Sequence, residues 1–527
     1  MYQVSNKLRL AVFCVMLASV TAPAQSADAW GFKTRAKATS QKSNKTRSGA
    51  IKKAFRKMFR SNDRKPTTKL GKFMRALTHR PKTLTAEQAA KLIKPGDNVY
   101  MPVGHPVAET VVSALHARAE SPKGGLNAKK PVKLVGLANT VHPKNFDRQG
   151  KVIPKAIFIG GNSRDAIMGG RGEFVPVYLS RVPRMIREGK IKVDKALVQV
   201  SKPDRWGFVT LGTTAATTVA AVDKAKMVIG EINPNMPRTN GATRIHISKL
   251  DAVVHSNKPI VGVPGPKVGD VEKAIAKNVV KLIPKNPTLQ FGIGAIPDAV
   301  AGQLASAKRK DLRVFSEMIS DGTMKLVKAG AIKGKVKYTF AMGSNEFVSW
   351  MHNNKKLKAY TTDVINDPAK IGKNRNMVAV NSAVRVDLNG QVNAQYIKDS
   401  WYSGVGGQVD FMRGAMRSKN GRAILALPST SRISDGKGGK KTVSRIVPRL
   451  GEKDVVTTNM HDVQYVVTEH GVAHLEGKTA VQRARALIGV AAPEFRKELK
   501  TSLDQQLARR KTVEKRKHQL RQTAKNQ

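Results

Sequence analysis

Segments with the periodicity of β-strands alternate with segments of helical periodicity from residue 84 to about residue 498 of this 527-residue chain. "TAEQAAKLI" reads as a helix with a threonine cap, "NVYMPV" as a strand, "AETVVSALHARA" as a helix and "VKLVGLA" as a strand. The same alternation runs through "KALVQVS", "AKMVIGEI" and "AVVHS". It resumes in "LQFGIGAIPDAVAGQLA", "RVFSEM", "YTFAM", "MVAVNSAVRVD", "RAILALPS" and "VQYVVTEHGV". Alternation sustained over that length predicts α/β architecture with two open-sheet domains. The Pro- and Gly-rich stretch "SNKPIVGVPGPKVGD" marks the boundary between them, placed near residue 275. The expected domains are therefore 83–275 and 276–500.

Charge is the second constraint. The chain carries 94 Lys or Arg against 37 Asp or Glu, a net charge of +57, which favours polyanionic or phosphorylated partners but says little about fold. Between Trp30 and Lys82 there are 18 basic residues against the single acid Asp63, and from Arg509 to the end eight against Glu514. The body between them is basic as well. Residues 30–82 read as a Ser/Thr/Lys-rich arm with two short amphipathic helices, one presenting Ile51, Ala54, Phe55, Met58 and Phe59, the other Leu70, Phe73, Met74 and Leu77. These helices either dock on the body or bind an anionic membrane or polyanion. Residues 501–527 form a basic tail.

Residues 1–29 place Lys7 and Arg9 before the apolar run "LAVFCVMLASVTA", followed by small residues suited to cleavage near Ala24 or Ala29. That is the layout of a secretory signal, and it predicts export to the periplasm or exterior. Elsewhere no stretch reaches about 18 consecutive apolar residues, the length of a spanning helix. The single cysteine, Cys14, lies inside the signal-like segment, which leaves the rest of the chain without disulfide or thiolate chemistry.

Two glycine-rich turns carry the chemical interest. "FGIGAIPD" (Phe291 to Asp298) follows a strand and opens a helix, and "GVGGQVDF" (Gly404 to Phe411) follows "WYS". Such turns let backbone N–H groups approach an anion closely, and a following helix adds its positive end. Neither fits the dinucleotide fingerprint, because Pro297 and Val409 stand where the last glycine belongs. Glu317, in "FSEMISDG", adds a carboxylate at a strand end. Facing two donor turns it can act as a nucleophile whose acyl adduct is stabilised at the oxyanion; the ordinary alternative is a salt bridge or cap. His470 and His474 have i, i+4 spacing with His461 nearby, but Gly471 argues against one helix holding both, and no metal site is expected. A "GxSxG" nucleophile motif is absent.

Taken in order, "PNMPRT" (Pro234 to Thr239), "GIGAIPD", "SEMISDG", "NDP", "VNSA", "GQVNA", "YSGVGGQVDF", "ALPST", "TVSRIVP" and "VVTEHGVAHLEGKT" resemble the acetyl-CoA hydrolase/transferase family, nearest the acetate and 4-hydroxybutyrate CoA-transferases. The resemblance spans about residues 84 to 498. It implies two related domains of the CoA-transferase type with the active site in the cleft between them, and Glu317 as nucleophile. It further implies oxyanion donors at Ile293, Gly294 and Gly407, Asn366 beside the thioester, and Gly404 and Gly406 flanking the CoA arm. Acyl-CoA and a small carboxylic acid would be substrates of a homodimer, with no permanently bound cofactor and no metal. The implied reaction passes through an acyl-glutamyl anhydride and a glutamyl-CoA thioester. Water in place of the acceptor acid would make the same site an acetyl-CoA hydrolase.

Two departures stand out. "GAT" (Gly241 to Thr243), followed by Arg244, replaces the acidic "GDS" usual after "PRT", and a basic insertion lies in "STSRISDGKGGKKTVS". Together with the tails they keep a third reading open: a catalytically silent basic binding protein on the same scaffold. CoA chemistry also fits an organelle or cytoplasm, where CoA is available, better than the exterior that the N-terminus suggests.

Overall fold

The computed structural model describes residues 79–137, 149–292, 294–397, 399–436 and 438–523. All of them belong to the compact unit Lys65–Gln527. The signal-like segment, both amphipathic helices of the arm, Ile293 and the last four residues lie outside the described set.

Two eight-stranded sheets form the body. The first has the spatial order Lys82–Thr83, Ala252–His255, Met227–Ile232, Lys195–Val200, Asn98–Met101, Val132–Gly136, Val152–Ala156, Glu173–Phe174. Every neighbouring pair in it is parallel. The second runs Leu357–Ala359, Ile332–Tyr338, Leu312–Phe315, Thr288–Phe291, Met377–Ser382, Arg422–Ala426, Tyr465–Thr468, Gly471–His474. It is parallel except for its last pair, a hairpin. Parallel strands need helical crossovers, which cover both faces of a sheet and bury its central strands throughout. "KALVQV" and "MVIGEI" in the first sheet and "MVAVN" in the second accordingly read as near-continuous apolar runs with every residue but the first of each of the two former buried.

Residue 275, the expected boundary, falls inside the helix Asp270–Lys281. The stretch without helix or strand that connects the two sheets is 256–269, which covers nearly all of the Pro- and Gly-rich segment. The tail expected from residue 501 continues the helix Pro493–Thr523, which begins before it. Among the described residues no helix is long and apolar enough to cross a membrane.

The halves are joined through backbone. Ala215 and Ala216 N–H donate to the Thr339 carbonyl at 2.8 and 3.1 Å, Ala341 N–H to Thr213 at 2.9 Å, and Ala242 N–H to Ala359 at 2.9 Å. The last contact uses the "GAT" departure. A side chain at Gly241 would meet the Ala359 carbonyl at 2.2 Å, and φ there is +99°, so glycine suits this crossing of two segments of the chain. Met318 and Phe340, from the second half, pack into the hydrophobic core of the first. Residues on either side of the junction are thereby held in fixed relation, which a site built between them requires.

Candidate active site

The sequence "RVFSEM" was expected as one strand, and it breaks at the residues of interest. Leu312–Phe315 ends, Ser316 and Glu317 stand outside regular structure, and Met318–Ile319 then pairs with Phe340–Ala341 in a separate two-stranded sheet. The break is stabilised locally. Ser316 N–H still donates to the Lys337 carbonyl at 3.0 Å, while its hydroxyl donates to the Met318 carbonyl at 2.6 Å. The Glu317 carbonyl accepts three bonds, from Thr339 N–H (2.9 Å), Phe340 N–H (3.2 Å) and the Thr339 hydroxyl (2.8 Å). A backbone tied at that many points aims its side chain in one direction.

That direction is a cavity of about 190 Å3 between the halves. Val103, Leu137, Phe158 and Leu179 of the first half and Phe291, Met318, Phe340 and Met342 of the second give it apolar walls. Gln290 and Asn381, which exchange side-chain hydrogen bonds at 3.0 and 3.3 Å, supply a polar patch. Glu317 is the only charged residue among the described ones lining it.

The Glu317 carboxylate accepts the Asn366 side-chain amide, Nδ2 to Oε2 at 2.5 Å, and the Gly407 backbone N–H. Asn366 is fully buried at the end of the helix Thr362–Ile365. Burial pushes the Glu317 carboxyl up to about 7; the charge of Asp410 adds to the rise, and the two hydrogen bonds oppose it. Asp410 is itself raised to about 7 by burial, against the lowering influence of Ser180 and Arg413. A carboxylate with that affinity for protons is partly ionised at neutral pH and more nucleophilic than an exposed one.

The glycine turn "GVGG" is threaded between Phe158 and Glu317. A Cβ at Gly404 would lie 3.2 Å from the Ile157 carbonyl, and one at Gly406, where φ is +57°, 3.3 Å from the Phe158 ring. At Gly407 it would lie 1.8 Å from Glu317 Oε2 and 2.1 Å from Asn366 Nδ2. The helix Gln408–Arg417 starts immediately after, so its positive end faces the carboxylate.

Glu317, Gly404, Gly406 and Gly407 line one cavity, and Asn366 bonds Glu317 from behind. The "GIGAIPD" turn contributes differently. Gly292 lines the cavity, whereas Gly294 caps the helix Ala295–Ser306 with φ +129° and is not among its lining residues; Ile293 lies outside the described residues. His470 lies in the turn of the hairpin Tyr465–Thr468/Gly471–His474, and His474 at its open end, where its ring stacks on Tyr465 at 4.6 Å. Among the described residues no group of three His, Cys, Asp or Glu is arranged to hold a metal.

Phe158 and Met342 in the cavity wall, and Ser180 and Asp410 behind it, are not among the site residues expected from the motifs. Asp410 was visible inside "GGQVDF", at a helix start, but nothing in the one-dimensional pattern shows that Ser180, 230 positions earlier, lies against it.

Comparison with known proteins agrees with this architecture. The acetyl-CoA hydrolase/transferase N-terminal domain matches residues 69–264 and the C-terminal domain residues 343–503. Glu317 falls in the segment between the two matches. The 4-hydroxybutyrate coenzyme A transferase of Clostridium kluyveri is 44% identical over 431 residues, 80% of this chain and 97% of that one. The succinyl-CoA:cyclohexane-1-carboxylate CoA transferase of Geobacter metallireducens is 36% identical, covering 80% of this chain and 94% of that one. The crystal structure of RipA from Yersinia pestis superposes with a TM-score of 0.72 at 30% identity, over 81% of this chain and 97% of that one. With its two-sheet body and matches of that length, the chain belongs to the acetyl-CoA hydrolase/transferase family.

Proposed function

We propose that this protein moves coenzyme A between a short-chain acyl-CoA thioester and a carboxylic acid, with Glu317 as the covalent nucleophile. The observation that carries the reading is a single raised-pKa carboxylate, held by Asn366 and the Gly407 amide, at the wall of a mostly apolar cavity between two domains. In the first step the Glu317 carboxylate attacks the thioester carbonyl. The C–S bond breaks, giving an acyl-glutamyl anhydride and CoA thiolate. The thiolate then attacks the glutamyl carbonyl, the anhydride C–O bond breaks, and the acyl group leaves as its carboxylate while Glu317 becomes a CoA thioester. An acceptor carboxylate reverses both steps. No external energy input is needed, since over the full cycle one thioester is broken and another of similar energy is formed, and the covalent route divides a difficult exchange into easier ones.

Backbone and amide donors are suited to an oxyanion that develops beside Glu317. Gly407 N–H and Asn366 Nδ2 now point at the carboxylate, and Gly404 and Gly406 leave space for a substrate chain along the turn. The apolar walls restrict water, which favours transfer over hydrolysis. They also favour a monocarboxylate, because a second carboxylate would be buried with no cation among the described lining residues. Butyryl-CoA with acetate as acceptor is therefore expected to give kcat/KM roughly 100-fold above succinyl-CoA, a difference of about 2.8 kcal/mol. Equal rates would contradict it.

The test of the reaction itself is incubation with acetyl-CoA, with and without butyrate, followed by borohydride trapping and peptide mass analysis. A reduced adduct on the Glu317 peptide, with butyryl-CoA formed only when butyrate is present, is the expected result. CoA released equally without acceptor would identify a hydrolase, and a chain that leaves acetyl-CoA untouched would exclude both.

The pH dependence follows from the carboxyl. Attack requires ionised Glu317, so kcat/KM should rise with pH through a limb near 7, well above the ordinary glutamate range. A limb near pH 4.5 would show that the carboxyl is not perturbed in the free enzyme.

A further inference from the structure

From the contacts of residues 179 and 180 we infer that Leu179 and Ser180 of the first half form a brace that positions the Gly407 amide of the second half, with Asp410 as its anchor. The proposal rests on the reading of Glu317 given above and extends it to the wall residue Leu179 and to Ser180 and Asp410, which are not among the residues lining the cavity.

The brace grips the chain on both sides of Gly407. Leu179 N–H donates to the Gly406 carbonyl at 3.2 Å, one residue before it. Ser180 donates twice to Asp410, three residues after it: N–H to Oδ2 at 3.1 Å and Oγ to Oδ1 at 2.8 Å. Both Asp410 oxygens are thereby engaged by a neighbour from the opposite domain, and Asp410 is only 4% exposed. Between the two grips lies the N–H that reaches Glu317. Gly407 has no side chain to fix it, and φ at Gly406 is +57°, only one of several conformations equally open to a glycine, so the turn is not fixed by its own residues. An amide that must meet a developing oxyanion has to be set to well under an ångström, and misplacement by about 1 Å costs on the order of 100-fold in rate.

The buried position of Asp410 has a second consequence. Its neighbours are Ser180, the Arg413 guanidinium, which itself pairs with Asp462 at 2.9 Å and lies over Tyr178, and Asp367. Arg413 is committed to Asp462, so Asp410 keeps part of its negative charge toward Glu317, and that field opposes ionisation of the nucleophile. The brace therefore sets both the position of a donor and the proton affinity of the group it serves.

The test compares Ser180→Ala, Ser180→Thr and Asp410→Asn in the full chain by steady-state kinetics and by amide hydrogen exchange of the peptide spanning 404–411. The expected result is faster exchange in that peptide for Ser180→Ala and Asp410→Asn, with kcat lowered on the order of 10- to 100-fold and KM little changed. Ser180→Thr, which keeps the hydroxyl, should restore both readouts. In Asp410→Asn the acidic limb of kcat/KM should also move down by roughly half a pH unit or more, which loss of packing alone would not produce. Wild-type kcat in both variants overturns the brace, whether or not exchange changes, and so does unchanged exchange in the face of a lowered kcat. If wild-type protein transfers no CoA, the functional reading fails separately, and the exchange measurement alone decides whether Ser180 and Asp410 hold the turn.

Discussion

Glu317→Gln should lower CoA transfer by about 10000-fold or more and abolish the borohydride-trapped adduct, while the protein remains folded. Glutamine keeps the size of the side chain and can still accept hydrogen bonds from Asn366 and Gly407, so binding of acyl-CoA should persist with little change. What it cannot do is form the anhydride. The same substitution should raise stability. In the folded protein Glu317 binds its proton up to a pH of about 7, against the ordinary 4.5 of the unfolded chain. The native state thus holds more protons between those values, and stability falls as pH rises through that window. Above pH 7 the ionised carboxylate costs the fold on the order of 1–3 kcal/mol, discounted for water in the cavity. Glu317→Gln removes that cost, so its melting temperature should exceed the wild type at pH 8 and approach it near pH 4.5. A variant inactive but equally or less stable at pH 8 would show that Glu317 is not held in the desolvated state described here. A variant that retains transfer activity would remove Glu317 from the mechanism.

Gly407→Ala is expected to produce the second largest effect. The new Cβ would lie 1.8 Å from Glu317 Oε2 and 2.1 Å from Asn366 Nδ2, far inside contact distance. Both groups must move, and the Gly407 amide must move with them. Loss of one oxyanion donor costs about 100- to 1000-fold in rate, and displacement of the nucleophile adds to this. Since the clash opens toward a cavity, the fold should lose only about 1–3 kcal/mol, the usual range for overpacking. The measurement is kcat beside a thermal melt. Near-normal kcat would mean that the turn relaxes freely and that the Gly407 amide is not the donor.

Much of the fold was legible because parallel α/β sheets write themselves into sequence. Strands buried on both faces must be short continuous apolar runs, and helical crossovers must separate them. "KALVQV" and "MVIGEI" are located by that rule to within a residue or two, whereas "MVAVNSAVRVD" divides into the strands Met377–Ser382 and Arg385–Asp387, which belong to different sheets. The connector 256–269 ends a few residues before 275: a Gly- and Pro-rich stretch carries no marker for its last residue, whereas the capping glutamate of the helix Asp270–Lys281 does. "RVFSEM" reads as one strand because Val314, Phe315 and Met318 are strand-forming apolar residues; the break at Ser316 is enforced by hydrogen bonds to Lys337, Thr339 and Phe340, all from another part of the chain.

The candidate site divides along the same line. By itself the sequence determined which residues have the chemistry: a carboxylate at a strand end, glycines that let backbone amides approach an anion, and an order of motifs resembling one family. Those properties belong to side-chain type and local backbone freedom, which one dimension records. The tertiary structure alone decided that Gly407 and Asn366 converge on Glu317, that Gly294 turns to a helix end outside the cavity lining, and that Ser180 reaches Asp410 across the domain junction. Distances between groups 49 or 230 residues apart depend on how two sheets are packed and joined, and burial by both domains, not any local motif, is what lifts the Glu317 carboxyl to neutral pH.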